Sequence, residues 1–381
     1  MSRRLLIVVQ EALFFTTHRL PVGLAMQQRG WEVHVAAPAD PAIAARLAAQ
    51  GFQFHPIPLA RGSRSPFADL RLLGALAVLF LRLRPDLLHL VSIKPMIWGG
   101  MAARLTGVPA VIHAITGLGF VRRNEGGGLL RSILERLYRI ALAHPNNLAI
   151  FQNGDDLAVF ETGRMVQPGR WMMIRGCGVD MQRFVNRPEA PIDAAHPPIV
   201  MFPARLIGDK GLYEFVAAAK HFKSKQIPAR FVLVGRRDPL SPSDIGQDAL
   251  DDWVARGLVE YWGFSDDMPD TLAKAHVIAM PSFYGEGVPR NLIEACAVGR
   301  AIVTADAPGC REVVRHEENG LLVPARDAAA TTSAIGRLLE DADLRRRLAA
   351  AGRAKAEAEF SVEHFVTQSL AAYRHVLGQE P

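Results

Sequence analysis

Cysteine is scarce in this chain. Cys177, Cys296 and Cys310 are odd in number and widely spaced over 381 residues. They exclude a disulfide framework and a thiolate metal site, and they favour a reducing compartment. Long apolar runs are also missing. The longest, Leu72 to Leu81, is about half of what spans a bilayer, so no transmembrane helix is expected. The apolar run Leu5–Val9 behind Met-Ser-Arg-Arg stops at Gln10-Glu11, which makes it a first strand and not a signal peptide. No G-x-G-x-x-G follows it, which weighs against a nicotinamide or flavin site. Aromatic residues are not interleaved with the basic ones, and no nucleic-acid motif is present, so nucleic acid is not expected as a partner. Internal repeats and low-complexity segments are lacking too.

The chain is long enough for two domains, and nearly half of it is apolar, enough for two cores. Charge is divided unevenly. Residues 1–190 carry a net +10, almost all of the cations being arginine, and residues 191–381 a net −4. A basic half of this kind suits an anionic membrane face or a phosphorylated substrate, although an arginine-rich genome gives the same composition. Strand patterns at Leu5–Val9, Glu32–Ala37, Leu87–Val91, Ala110–Ala114 and Leu148–Phe151 alternate with helical ones. A second alternating set follows at Ile199–Phe202, Phe231–Val234, Val259–Trp262, Val277–Met280 and Ala301–Thr304. Alternation with short turns predicts a parallel, doubly wound α/β sheet in each half. The Pro- and Ala-rich stretch between them divides the chain into residues 1–184, a linker at 185–198, and 199–360. One polar helix is expected over Ala328–Ala358, and residues 361–381 form a last helix with its own apolar face.

The string from Pro281 to Gly299 carries the most chemistry. A buried strand runs into a Gly/Pro turn and then into an amphipathic helix starting near Pro289, with Pro289 in its first turn. Glu286 sits in the loop and Glu294 in the second helical turn. Gly287 lets backbone approach a ligand, and the N–H groups and dipole of a helix N-terminus favour phosphate. A carboxylate one or two turns along is placed to bond ribose hydroxyls. Spacing alone equally describes any strand–loop–helix with two solvated glutamates. Earlier in this half, Arg205 and Lys210 lie five apart on a Gly-containing loop after the first strand, where α/β proteins bind ligands. Arginine offers a fork for phosphate oxygens and lysine a compact charge, and by themselves the two also describe a solvated loop. Asp266-Asp267 before Met-Pro reads as a helix N-cap and not as a metal site.

The whole string resembles the E-x7-E signature of the retaining GT-B glycosyltransferases of family four (glycosyl transferases group 1). That resemblance implies a GT-B fold: two Rossmann-like doubly wound domains facing a cleft, with the C-terminal helix crossing back to the N-terminal domain. It implies that Glu286 contacts the donor sugar, Glu294 the ribose, and Arg205 with Lys210 the donor diphosphate. Gly287, Val288, Pro289, Arg290 and Asn291 would line the donor site with Ser282, Gly235 and Gly263. Gly235 would allow close nucleotide approach, and Gly263 lies in a segment whose relatives meet the base.

The N-terminal domain would hold the acceptor. Phe14-Phe15-x-x-His18-Arg19-Leu20-Pro21, in the first loop, resembles a subset that builds bacterial lipid-linked polysaccharide, O-antigen or capsule. The segments around Lys94 and Asn153 match that subset, which makes His18, Arg19, Lys94 and Asn153 acceptor candidates. A lone histidine in such a place is more often structural. Many relatives have a catalytic-site histidine after the fourth strand; here the alignment gives Thr116, with His113 three residues earlier as the alternative. Gly117–Gly128, with Arg122 and Arg123, suggests a lip, and the basic helix after it suits an anionic membrane or plain solvent.

The implied reaction is retaining, metal-independent transfer of a hexose or N-acetylhexosamine from a UDP-sugar to a polyprenyl-diphosphate-linked sugar, with no cofactor. The implied place is the cytoplasmic face of the inner membrane. A glycosyltransferase with a small soluble acceptor, a sugar-nucleotide 2-epimerase and a silent nucleotide-binding scaffold are the alternatives.

Overall fold

The computed structural model describes residues 2–60, 62, 65–118 and 128–381. The chain divides into two compact units, Met1–Gly178 with Glu363–Pro381, and Val179–Val362. The first holds strands β1 (Arg4–Val8), β2 (Glu32–Ala37), β3 (Gln53–Pro56), β4 (Leu87–Val91), β5 (Val111–Ile115), β6 (Asn147–Phe151) and β7 (Trp171–Met173). Their order is β3-β2-β1-β4-β5-β6-β7, with every neighbouring pair parallel. The second holds β8 (Ile199–Pro203), β9 (Arg230–Val234), β10 (Glu260–Tyr261), β11 (Val277–Met280), β12 (Ala301–Ala305) and β13 (Leu321–Val323). Their order is β10-β9-β8-β11-β12-β13, again all parallel.

The central strands β4, β5, β6, β8, β11 and β12 are buried at every residue. Runs apolar on both sides suit a parallel sheet with helices on both faces. In each unit the strand order reverses once, at β1/β4 and at β8/β11. There the crossovers leave in opposite directions and a crevice opens at the carboxyl ends.

Helix Val362–Leu377 contributes Phe365, Leu370, Tyr373 and Val376 to the core of the first unit, beside Leu5, Val33 and Leu87. Tyr373 Oη lies 2.7 Å from His89 Nδ1, and Asn146 Nδ2 donates to Val376 O at 2.8 Å.

The structure departs from the expectations in several places. β3, β7 and β13, none of them anticipated, are edge strands of three or four residues, too short for an apolar run. The single helix expected over 328–358 is two, Ala328–Glu340 and Ala342–Glu359. Asp341 breaks it with an extended ψ of 92° and caps the second helix by accepting from Leu344 N at 2.8 Å. The first loop holds helix Ala12–His18, followed by Leu20–Gln27 with Pro21 in its first turn. The stretch 185–198 groups with the second unit. Arg300 donates to Arg187 O (2.8 Å) and Ala273 O (2.6 Å), and the buried Arg345 pairs with Glu189 at 3.0 Å. Arg122 and Arg123 of the expected lip lie outside the described residues. No helix among the described residues is long and apolar enough to cross a membrane.

Candidate active site

In the second unit the carboxyl ends of β8 and β11 carry the two segments singled out by sequence. After β8, Gly208–Lys210 makes one tight turn and ends on Gly211 in the left-handed region (φ 83°). A Cβ on Gly211 would overlap the Pro281 carbonyl oxygen, so the two loops touch through backbone. Lys210 is buried, and its ammonium pairs with Glu286 across 76 residues of sequence. Arg205 Nη1 meets Asp238 Oδ2 at 2.6 Å. The ring of Tyr284 lies close to both cations, 5.5 Å from the Arg205 guanidinium and 5.8 Å from Lys210 Nζ. Asp238 and Tyr284 were not anticipated. The signal for Asp238 was its place just beyond the carboxyl end of β9, where polar side chains face the crevice.

Behind Glu286 the loop leads into helix Arg290–Ala297. Pro289 precedes that helix with extended backbone (φ −67°, ψ 113°) and does not form its first turn as expected. Asn291 Nδ2 donates to Pro203 O at 2.8 Å, which fastens the helix start to the end of β8. Glu294 is buried and accepts from Arg290 Nε at 2.8 Å. Burial raises its pKa against the opposing pull of Arg290. Val288 is buried, and the Gly287 carbonyl lies where a Cβ on Gly309 would be. Ser282 is buried, and its hydroxyl has no partner among the described residues.

Gly235 has φ 145°, and its missing Cβ makes room for Ala204 O; its N–H donates to Gly263 O at 2.8 Å. The glycine is therefore demanded by the neighbouring chain, whatever approaches from solvent. Gly263 takes φ 70° in open space. Asp267 caps helix Met268–Ala273, accepting from Asp270 N at 3.2 Å. Among the described residues no group of three His, Cys, Asp or Glu side chains comes together as a metal cage.

The candidates of the first unit separate more widely. Thr116 is half-buried just beyond β5, its Oγ1 3.2 Å from Ser92 Oγ. Lys94, beyond β4, pairs with Asp69 at 2.8 Å. Asn153 is buried and caps helix Gly154–Thr162, accepting from Asp156 N at 2.8 Å, so its side chain is taken up by the fold. His18 stacks on Phe14 (ring centroids 4.0 Å apart) and lies 2.7 Å from Thr17 Oγ1. Arg19 is buried between the rings of Phe14 and Phe365 and donates to His18 O at 3.1 Å. That environment is a packing role, not an acceptor contact.

His113 is likewise corrected. It lies wholly buried inside β5, with its ring against Gly100, where an added Cβ would come within 2.8 Å of Cε1. Neither ring nitrogen has a hydrogen-bond partner among the described residues, and burial lowers its pKa to about 3. Below the unfolded pKa of about 6.5 the unfolded chain takes up a proton that the folded chain refuses, so stability falls from pH 6.5 towards pH 3. Replacing His113 by leucine should remove up to about 1.4 kcal/mol per pH unit of that acid slope while leaving turnover in place, measured by urea unfolding at pH 7 and pH 5. An unchanged slope would refute the assignment.

Comparison with known proteins gives this geometry its family. Residues 197–341 match the family described as glycosyl transferases group 1, and residues 4–153 match the glycosyl transferase 4-like family. The N,N'-diacetylbacillosaminyl-diphospho-undecaprenol alpha-1,3-N-acetylgalactosaminyltransferase of Campylobacter jejuni is 29% identical over 342 residues, covering 87% of this chain and 88% of its own. The UDP-Gal:alpha-D-GlcNAc-diphosphoundecaprenol alpha-1,3-galactosyltransferase of Escherichia coli is 25% identical over 283 residues, covering 72% and 71%. The solved structure of Anabaena HepE in complex with UDP superposes with a TM-score of 0.75 at 19% identity, covering 98% of this chain and 99% of its own. Two family matches that together take in most of both units, and a fold shared from end to end, lead to one conclusion: residues 4–153 form a glycosyl transferase 4-like domain, residues 197–341 a glycosyl transferases group 1 domain, and the chain is a glycosyltransferase of the GT-B fold.

Proposed function

We propose that this glycosyltransferase moves a hexose or N-acetylhexosamine from a UDP-sugar to a polyprenyl-diphosphate-linked sugar during synthesis of a cell-surface polysaccharide. The observation that carries the reading is the convergence of Arg205, Lys210 and Glu286 on one crevice at β8/β11. It is supported by two relatives whose names specify diphospho-undecaprenol sugars as acceptors.

The chemistry needs a stabilised leaving group. As the anomeric C–O bond breaks, negative charge builds on the β-phosphate. Lys210 and Arg205 meet that charge from fixed positions, so little reorganisation accompanies bond breaking. Glu286 holds Lys210 in place and accepts from a donor-sugar hydroxyl; Glu294 accepts from the ribose. The acceptor hydroxyl attacks from the face the diphosphate leaves, so configuration is retained, and the departing phosphate takes the acceptor proton. The two cations supply the positive charge, and no metal is required.

Binding at the cytoplasmic face of an anionic membrane is part of the same reading. Helix Pro66–Leu83 buries Leu72, Leu76 and Phe80 on its inner face. Its outer face exposes a second apolar stripe, Phe67 (84% exposed), Leu70, Val78 and Leu81, with Arg71 and Arg82 alongside. Helix Leu129–Ala141 adds exposed Ile133, Ile140, Arg131, Arg136 and Arg139. An apolar stripe bordered by arginines matches lipid tails beneath anionic headgroups. Phe67→Asp with Leu70→Asp should weaken co-sedimentation with phosphatidylglycerol vesicles by about tenfold or more, since each buried side chain is worth on the order of 1.5–3 kcal/mol. Equal sedimentation of variant and parent would remove this surface from the proposal.

The whole reading is tested by UDP release across a panel of UDP- and GDP-sugars, with and without a short polyprenyl-diphosphate-sugar. Release that depends on the lipid-linked acceptor and disappears in Arg205→Ala is expected. Failure to bind UDP would overturn it.

A further inference from the structure

Among the described residues, six other than glycine have positive φ: Arg84, Ser92, Arg164, Gln226, Glu317 and Arg326. Arg84, Arg164 and Gln226 lie within two residues of a helix end, where left-handed backbone is a common way to stop a helix. Ser92 (φ 74°) is different, because it directly follows a strand, β4. Such backbone is costly for a residue with a Cβ, and it persists only where the surroundings impose it. Here they do: Ser92 N donates to Ala114 O at 3.2 Å, and Ser92 O accepts from Met96 N at 3.0 Å. The chain then runs into a π-helical turn, Pro95–Gly99, a form that recurs at functional sites.

The position is one where α/β sheets bind their ligands. β4 pairs with β1 where the strand order of the first unit reverses, so Ser92 stands at the carboxyl end of a switch-point strand. In the second unit the corresponding strand, β11, leads directly to Ser282 and Glu286. Ser92 is half-buried, and its Oγ lies 3.2 Å from Thr116 Oγ1 at the end of the adjacent strand β5. Two hydroxyls that share one hydrogen bond still offer one O–H donor and several lone pairs. That set matches a neutral hydroxyl better than a phosphate, and the nearby Lys94 is already paired with Asp69.

We infer that Ser92, with Thr116, binds a hydroxyl of the acceptor sugar, and that the left-handed backbone at Ser92 is retained to aim its Oγ into the crevice. This rests on the proposed acceptor class. The test is steady-state kinetics of Ser92→Gly and Thr116→Val against the lipid-linked acceptor and the donor in turn, with thermal unfolding of each. Glycine removes the hydroxyl and is at ease at φ 74°, and valine keeps the shape of threonine. Ser92→Gly should unfold at the parent's temperature or higher, while the acceptor KM rises about two- to tenfold, the range for one neutral hydrogen bond. Donor KM should stay put, and Thr116→Val should show the same asymmetry. An unchanged acceptor KM in both variants, an equal rise for the donor, or a lower unfolding temperature for Ser92→Gly would overturn the inference. If the parent itself releases UDP regardless of the lipid-linked sugar, the acceptor class is wrong and this assignment falls with it. Acceptor-dependent release by the parent with normal variants defeats the assignment alone.

Discussion

Lys210→Ala is expected to lower turnover by about 10²–10³-fold, the loss recorded when one preorganised donor to a developing negative charge is removed, on the order of 2.7–4 kcal/mol. Lys210 is buried and held by Glu286, so its charge is oriented before the donor arrives. The same substitution should cost about 1–3 kcal/mol of stability, because it leaves the Glu286 carboxylate without its ammonium partner in a site where only a fifth of that side chain is exposed. Adding Glu286→Gln to Lys210→Ala should return part of the stability and none of the turnover, since the unpaired charge disappears while the proposed phosphate contact stays lost. Urea unfolding and UDP release on the parent, both single variants and the double variant separate the two effects. A double variant as unstable as Lys210→Ala alone would mean that the pair does not hold the loop, and near-parental turnover in Lys210→Ala would take the lysine out of the phosphate site.

Gly211→Ala should be strongly damaging, at about 2–5 kcal/mol. One part is the left-handed backbone, roughly 1–2 kcal/mol for an L-residue with a Cβ. The other is overpacking, roughly 1–3 kcal/mol, as the new methyl group meets the Pro281 carbonyl oxygen. That oxygen belongs to the loop that carries Glu286, so the two loops would separate and donor KM should rise along with the loss of stability. Gly107→Ala is a control for the backbone term, since Gly107 has φ 69° with nothing within 4 Å of the missing Cβ. Equal losses at the two positions would mean that the contact between the loops contributes nothing.

Much of the site was legible because its parts are local. A strand, a glycine turn and a helix start are written in consecutive residues, and ligands of α/β sheets bind where strands end. The strings around Arg205, Lys210 and Glu286 to Glu294 could therefore be placed at strand ends without coordinates. His113 could not be assigned in that way. Strand periodicity puts its side chain on one face of β5 or the other, and only the packing of Gly100 against its ring selects the face. Asn153 and Arg19 resemble binding residues in a sequence, yet a helix cap and a pair of phenyl rings take them up in the fold. Ser92 lay in the segment around Lys94 that the resemblance covers, yet a serine after a strand is ordinary and nothing in the sequence announced its left-handed φ.

By itself the sequence determined the class of the fold, the alternation of strands and helices in two halves, and the loops that carry charge at strand ends. Each depends on residue type and spacing within a short window, which the periods of helix and strand make readable. Only the tertiary structure decided that Lys210 meets Glu286, that Asp238 holds Arg205, that residues 185–198 are fastened by Arg300 and Arg345, and that Tyr373 lies beside His89. These pairs are separated by 33 to 284 residues, Arg300 reaching back 113 residues to Arg187 and Arg345 156 residues to Glu189. Crossovers and strand order bring them together, and no local pattern encodes which loops a doubly wound sheet will set side by side.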